Sequence, residues 1–373
     1  MKVLYITNIP SPYRVDFFNE LGKQCELTVL FEMKTSEDRE KSWHNNNINN
    51  FNAVFLRGRT VNKNIRICFS ISKYLKRDVY DIIVVGGYST PTGMFAIELL
   101  NKRKIPFLLN SDGGLIKRDN PIKYLIKKHY IGSAAFWLST GKNTSDYLTH
   151  YGGVKERIHN YPFTSLQEKD LLINTMDDNN KRQIKKELGI KEDKIIITVA
   201  RFIQSKGIDI LLEACEKISD TYGVYIIGGK PTEEYINIKK KKKLNNVHFV
   251  NFLPKEMLNK YYLASDLFVL PTRSDIWGLV INEAMANGLP VITTDRCVAG
   301  LELIKNNEQG FITPVDNSAL LAEKIKLILE DNKLRLGMSN KSLCRIQEYT
   351  IENMANTHMM IFESIIEEKI EEG

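Results

Sequence analysis

The chain has 373 residues, of which 43% are hydrophobic and 26% charged, with a net charge of +7. That is the composition of a soluble globular protein with room for two domains of ordinary size. No apolar run reaches the roughly 18 residues that span a bilayer, and the five scattered cysteines (Cys25, Cys68, Cys215, Cys297, Cys344), without a Cys-x-x-Cys pair or a Cys/His cluster, argue against a disulfide frame or a zinc site and for a reducing cytoplasm.

The N-terminal run Lys2–Asn8 reads as a first strand and not as a secretory signal, because it stops at polar Asn8 and lacks an h-region and cleavage site. Helical spacing follows at Val15–Gly22, then strands at Glu26–Phe31 and, more weakly, Ala53–Leu56. Ile65–Lys76 has helical spacing. Asp81–Gly86 reads as a buried parallel strand, Gly93–Arg103 as a helix, Pro106–Asn110 as a strand, Pro121–Ile131 as a helix, Ala135–Ser139 as a strand and Asn143–Tyr151 as a helix. Such alternation predicts a parallel sheet of Rossmann type.

Leu171–Lys181 turns polar and Asn/Asp-rich, a linker composition. The pattern then restarts. Strands are predicted at Lys194–Ala200, Val224–Gly228, Val247–Phe252, Leu267–Leu270 and Pro290–Thr294. Helices are predicted at Ile208–Ile218, Glu233–Lys243, Met257–Ala264, Leu279–Asn287 and Ser318–Glu330. The tail from Tyr349 is helical over most of its length, the pattern of a simple terminal helix or of a dimerisation helix. Two such α/β halves would leave a cleft between their strand ends, where ligands of open α/β sheets bind. Charge divides unevenly: residues 1–160 carry 24 Lys+Arg against 14 Asp+Glu, and the remainder 28 against 31. The first half therefore suits an anionic surface or a phosphate-bearing acceptor, although ordinary solvated surface has the same signature.

The most informative stretch runs from Arg273 to Val291. Asp275 and Glu283 stand eight positions apart, with Gly278 opening a helix between them. The first N–H groups of that helix form an anion seat, and the two carboxylates accept from hydroxyl groups. A nucleotide-sugar needs that combination. Upstream, Arg201 and Lys206 lie between a buried strand and a helix, where two cations can clamp a diphosphate and favour its departure; a solvated basic loop is the bland alternative.

The segment resembles the acidic signature of the retaining glycosyltransferases of family 4, with Asp275 where Glu is commoner, followed by Glu283-Ala284-Met285-Ala286, Gly288 and Pro290-Val291. The likeness is strongest over residues 181–320. It implies a GT-B fold: an acceptor-side Rossmann-like domain at 1–165, a nucleotide-sugar domain at 181–345, and a helix at 349–373 crossing back to the first domain. It implies diphosphate binding by Arg201, Lys206 and the Gly278–Leu279–Val280 backbone, ribose binding by Glu283, sugar contact by Asp275, and close backbone approach at Gly229 and Leu253. It implies no cofactor and no metal, which agrees with the absence of an Asp-x-Asp motif.

In the first half, Asp112 stands where the resemblance places a residue facing the reacting carbon. It either orients or deprotonates the acceptor hydroxyl or only holds an Asp-Gly turn. Tyr13, Arg14 and Tyr88 are assigned to the acceptor side, with plain surface turns as the alternative; Pro10 and Pro12 replace the Gly pair of many relatives. Pro121–Ile131 is basic and amphipathic. It either packs its Ile122, Leu125, Ile126 and Tyr130 stripe on a core or rests on an anionic bilayer holding a lipid-linked acceptor. No nucleic-acid motif is present.

The expected activity is retaining transfer from a nucleoside-diphosphate sugar, UDP-linked before GDP-linked, to an acceptor hydroxyl in bacterial surface polysaccharide or glycolipid assembly. The expected setting is the cytoplasm, at the inner membrane face. A sugar-nucleotide epimerase and a non-catalytic sugar-nucleotide-binding protein are the competing readings. A dinucleotide dehydrogenase is disfavoured because no Gly-x-Gly-x-x-Gly follows the first strand.

Overall fold

The structure is a computed structural model that describes residues 1–34, 47–62 and 65–371. The chain divides into two compact units, Met1–Ser165 with Tyr349–Gly373, and Leu166–Glu348. Each is built on an all-parallel sheet whose strands are runs of buried aliphatic residues, as expected where helices cover both faces. Among the described residues, no helix is long and apolar enough to cross a membrane.

The first unit contains strands β1 (Lys2–Thr7), β2 (Glu26–Phe31), β3 (Asn52–Phe55), β4 (Arg59–Asn62), β5 (Ile65–Ile67), β6 (Ile82–Val85), β7 (Leu108–Ser111), β8 (Phe136–Ser139) and β9 (Ile158–Asn160). Seven form the sheet in the order β3-β2-β1-β6-β7-β8-β9; β4 and β5 pair separately and antiparallel. Helix α1 (Pro12–Leu21) follows β1, α2 (Pro91–Arg103) follows β6, α3 (Pro121–Gly132) follows β7 and α4 (Lys142–His150) follows β8. The last helix, Ile351–Glu371, packs on α1, with His358 against the Phe17 ring at 4.7 Å and Phe362 and Ile365 fully buried.

The second unit contains β10 (Lys194–Val199), β11 (Tyr222–Ile227), β12 (Val247–Val250), β13 (Leu267–Leu270), β14 (Val291–Thr294) and β15 (Gly310–Thr313), in the order β12-β11-β10-β13-β14-β15. In both units the chain runs outward from one central strand, then crosses to that strand's other side. The crossings fall between β1 and β6 and between β10 and β13. Such a switch point opens a crevice at the strands' carboxyl ends.

Two predicted elements are corrected. Ile65–Lys76 is not a helix: its start is strand β5 and Phe69–Lys73 is a short 3₁₀ turn. The apolar spacing there serves Cys68 and Ile71, buried against the sheet, and α2. The polar stretch 171–181 is not simply a linker, because helix Asp178–Glu187 starts inside it, capped by Asp177 accepting from the Asn180 N–H, and Leu172 N–H bonds to Ala286 O. Helix α3 divides its apolar stripe: Ile122, Leu125 and Ile126 are 72%, 62% and 44% exposed, while Tyr130 is partly buried against the core of the first unit.

Candidate active site

In the second unit the carboxyl ends of the parallel strands share one edge of the sheet. The residues singled out in the sequence leave from that edge. Arg201 and Lys206 follow β10, Gly229 follows β11, Leu253 follows β12, and Asp275 to Gly278 follow β13. Lys206 and Asp275 therefore straddle the switch point, and they meet: Lys206 Nζ donates to Asp275 Oδ2 at 2.5 Å, with both side chains 18% exposed.

The turn that carries Lys206 is a 3₁₀ turn, Gln204–Lys206, closed by Gly207. Gly207 has φ +65°, and a Cβ there would lie 2.0 Å from Pro271 O. Only glycine lets this turn sit so close to the strand end that starts the acidic loop. Asp275 is fixed by its own backbone, whose N–H bonds to Arg296 O at 2.9 Å. Beyond it, Trp277 is buried and its indole N–H donates to Asn282 Oδ1 at 3.0 Å. Gly278 then starts helix Leu279–Ala286 from φ +102°, where a Cβ would press on Cys297 Sγ at 2.8 Å. The first N–H groups of this helix, at Leu279 and Val280, have no intrahelical partner and carry partial positive charge.

Glu283 lies one turn further along that helix. The hydroxyl of buried Tyr262 donates to its Oε2 at 3.0 Å, which fixes the carboxylate's direction. Arg201 is exposed and makes no ion pair among the described residues. Gly229, with φ +108° and nothing within 4 Å of a built Cβ, leaves its backbone accessible, and Leu253 is half-buried. Two participants were missed in the sequence. Tyr262 reaches Glu283 only through helix packing. Arg273 stands two residues before Asp275 and forks onto Asp209 at 2.9 and 2.5 Å. Among the described residues, no three His, Cys, Asp or Glu side chains cluster so as to hold a metal ion.

In the first unit Arg14 and Asp112 come together at the ends of β1 and β7. The Arg14 guanidinium is buried and donates to both oxygens of Asp112. Asn110 Nδ2 donates to Asp112 Oδ1 at 2.8 Å, and Tyr161 hydroxyl at 3.4 Å. Arg14 therefore faces Asp112, not solvent. Its charge also lies over the Tyr13 and Phe163 rings, at 5.6 and 5.5 Å. Burial pushes the Tyr5 and Tyr161 hydroxyls up and the His358 imidazole down to about 4. Tyr88 belongs to a different cluster, sharing a 2.6 Å hydrogen bond with Tyr147.

Residues 180–343 match the family of group 1 glycosyl transferases. They form a group 1 glycosyl transferase domain. An O-antigen biosynthesis glycosyltransferase of Escherichia coli is 29% identical, covering 99% of both chains. The N,N'-diacetylbacillosaminyl-diphospho-undecaprenol alpha-1,3-N-acetylgalactosaminyltransferase of Campylobacter jejuni is 23% identical over 80% of this chain and 81% of its own. An uncharacterized glycosyltransferase of Haemophilus influenzae is 30% identical over 46% of this chain, and the matched part spans only 49% of that protein. Among solved structures, Anabaena HepE in complex with UDP superposes with a TM-score of 0.79 at 15% identity, covering 98% of this chain and all of that one; at that identity the likeness is one of fold, two Rossmann-like halves of GT-B type. The strand-end loops of the second unit, from Arg201 to Gly278, lie within these residues.

Proposed function

We propose that this protein moves a sugar, with retention of configuration, from a nucleoside-diphosphate sugar to an acceptor hydroxyl during assembly of a bacterial surface polysaccharide or glycolipid. The observation that carries the reading is the Lys206–Asp275 pair at the switch point, one turn ahead of the Gly278 helix start. Lys206 and Arg201 meet the diphosphate together with the helix N-terminus. Glu283 accepts from the ribose diol and Asp275 from the donor sugar. Negative charge grows on the diphosphate as the sugar leaves, so fixed cations there stabilise the transition state more than the bound donor. No metal is needed for that step in this reading.

A UDP-linked donor is favoured, by analogy with the UDP bound to Anabaena HepE. Asp112, held by Arg14, orients the acceptor hydroxyl. A lipid-linked acceptor is supported by the substrate named for the Campylobacter relative. Contact with an anionic membrane is supported by the exposed Ile122, Leu125 and Ile126 of α3 beside Arg118 and Lys123. The inner face of the cytoplasmic membrane is the corresponding location.

The test is a nucleotide-release screen over common UDP- and GDP-sugars, with and without lipid-linked acceptors. Acceptor-dependent release supports transfer. Conversion of the donor sugar with no acceptor would instead identify an epimerase, and tight donor binding without turnover a binding protein.

A further inference from the structure

Arg273 holds the two loops of the donor site together. Its Nη1 donates to Gln204 O at 2.7 Å, and Nη1 and Nη2 fork onto the Asp209 carboxylate at 2.9 and 2.5 Å. Its Nε donates to Asp316 Oδ1 at 2.6 Å. Its backbone N–H bonds to Ser205 O at 2.8 Å, and the Thr272 hydroxyl reaches the same oxygen at 2.8 Å. Gln204 and Ser205 are the first two residues of the 3₁₀ turn whose third residue is Lys206. The residue two positions after Arg273 is Asp275, the partner of Lys206.

One guanidinium thus joins the loops that follow β10, β13 and β15. Its hydrogen bonds define where the turn sits, and so where the Lys206 ammonium points. Lysine could not replace it, because a single ammonium has three donors at one point and no planar fork. Nor is Arg273 placed to bind the diphosphate itself. With Asp209 on its fork and Asp316 on its Nε, the three charged groups sum to −1. An arriving phosphate would find that cluster unattractive.

We propose that Arg273 is a positioning residue for the donor diphosphate, acting through the Gln204–Lys206 turn to aim Lys206. The proposal rests on the reading of Lys206 as a diphosphate ligand. Displacing a charged contact by an ångström removes much of its value. The expected signature is therefore loss of preference for a diphosphate over a monophosphate, not a general weakening.

Calorimetric titration of UDP, UMP, GDP and GMP into wild type, Lys206→Ala, Arg273→Lys and the double variant tests this. For the base that binds, the expected wild-type preference for diphosphate is about tenfold or more, the value of one charge-assisted contact. Lys206→Ala and Arg273→Lys each abolish most of that preference while monophosphate affinity stays level. The double variant is no weaker than Lys206→Ala alone, because the two residues act through one contact. Equal weakening of mono- and diphosphate by Arg273→Lys, retention of the wild-type preference, or losses that multiply in the double variant would each overturn the proposal. A wild type with no diphosphate preference overturns the Lys206 reading first, and this proposal with it; wild-type protein alone reveals that failure. Should Arg273→Lys fold poorly, Asp209→Asn takes its place in the cycle. It is expected to lower the diphosphate preference by a smaller factor, and an unchanged preference counts against the proposal.

Discussion

Lys206 and Asp275, 69 positions apart in the chain, share a 2.5 Å ion pair across the point where the strand order of the second sheet reverses. In the proposed reading this pair holds the Lys206 ammonium where a diphosphate would meet it, at the cost of a competing carboxylate. We expect Lys206→Ala to slow acceptor-dependent nucleotide release roughly tenfold or more, since a charge-assisted contact contributes about 1.5–3 kcal/mol. Initial rates at saturating acceptor are the measure, and unchanged turnover would remove Lys206 from the site.

Asp112 and Arg14 are predicted to affect the acceptor half of the reaction. Asp112→Asn keeps the shape but weakens the ionic hold of Arg14. It should lower acceptor-dependent turnover at least tenfold, by loss of one charged contact, while donor affinity measured by calorimetry stays unchanged. Arg14→Met should in addition cost about 1–3 kcal/mol of stability, below the figure for a fully buried pair because Asp112 is 31% exposed. Donor affinity falling in parallel with turnover for Asp112→Asn would refute the assignment.

Two buried groups in the first unit give opposing pH dependences. Burial raises the Glu32 carboxyl to about 7, against hydrogen bonds from Thr90 and Thr92 that lower it. Between its ordinary value of 4.5 and about 7 the folded chain holds a proton that the unfolded chain has released, so this group makes stability fall as pH rises. Burial lowers the His358 imidazole to about 4, so between that value and 6.5 the unfolded chain binds the extra proton and stability rises with pH. The two slopes offset each other in the wild type. Glu32→Gln should remove the first. In that variant the melting temperature should climb between pH 4.5 and 6.5 more steeply than in wild type, and the variant should gain on wild type by roughly 3 kcal/mol by pH 7. Parallel wild-type and variant curves would show that folding leaves the Glu32 carboxyl at its ordinary value.

Ile122 and Leu125 are predicted to matter for vesicles and not for folding. Both are more than half exposed, so serine at each should change stability by no more than about 0.5 kcal/mol. The double variant Ile122→Ser, Leu125→Ser should co-sediment less with vesicles containing anionic lipid. Binding that is equal in wild type and variant would assign this surface another purpose.

The order of strands and helices, the two Rossmann-like halves and the identity of the acidic segment were legible in the sequence, because buried parallel strands are continuous aliphatic runs such as Ile195-Ile196-Ile197, and helix starts carry local signals such as Gly278. Local spacing also put Asp275, Glu283, Arg201 and Lys206 beside strands and helix ends. It failed at Ile65–Lys76, where apolar residues that serve an irregular surface mimic a helical period, and it left open which way the α3 stripe faces, of which Ile122 and Leu125 stand exposed.

What the sequence by itself determined was which residues lie at strand ends, since chain-local periodicity reports burial and turn. Which of those residues touch was decided by the tertiary structure alone. The meeting of Lys206 with Asp275, of Arg14 with Asp112, of Tyr262 with Glu283 and of Arg273 with Gln204, Asp209 and Asp316 depends on strand order and helix packing. Hydrogen bonds reach only about 3 Å, so pairs so far apart in the chain become partners only after the sheet has set their loops side by side.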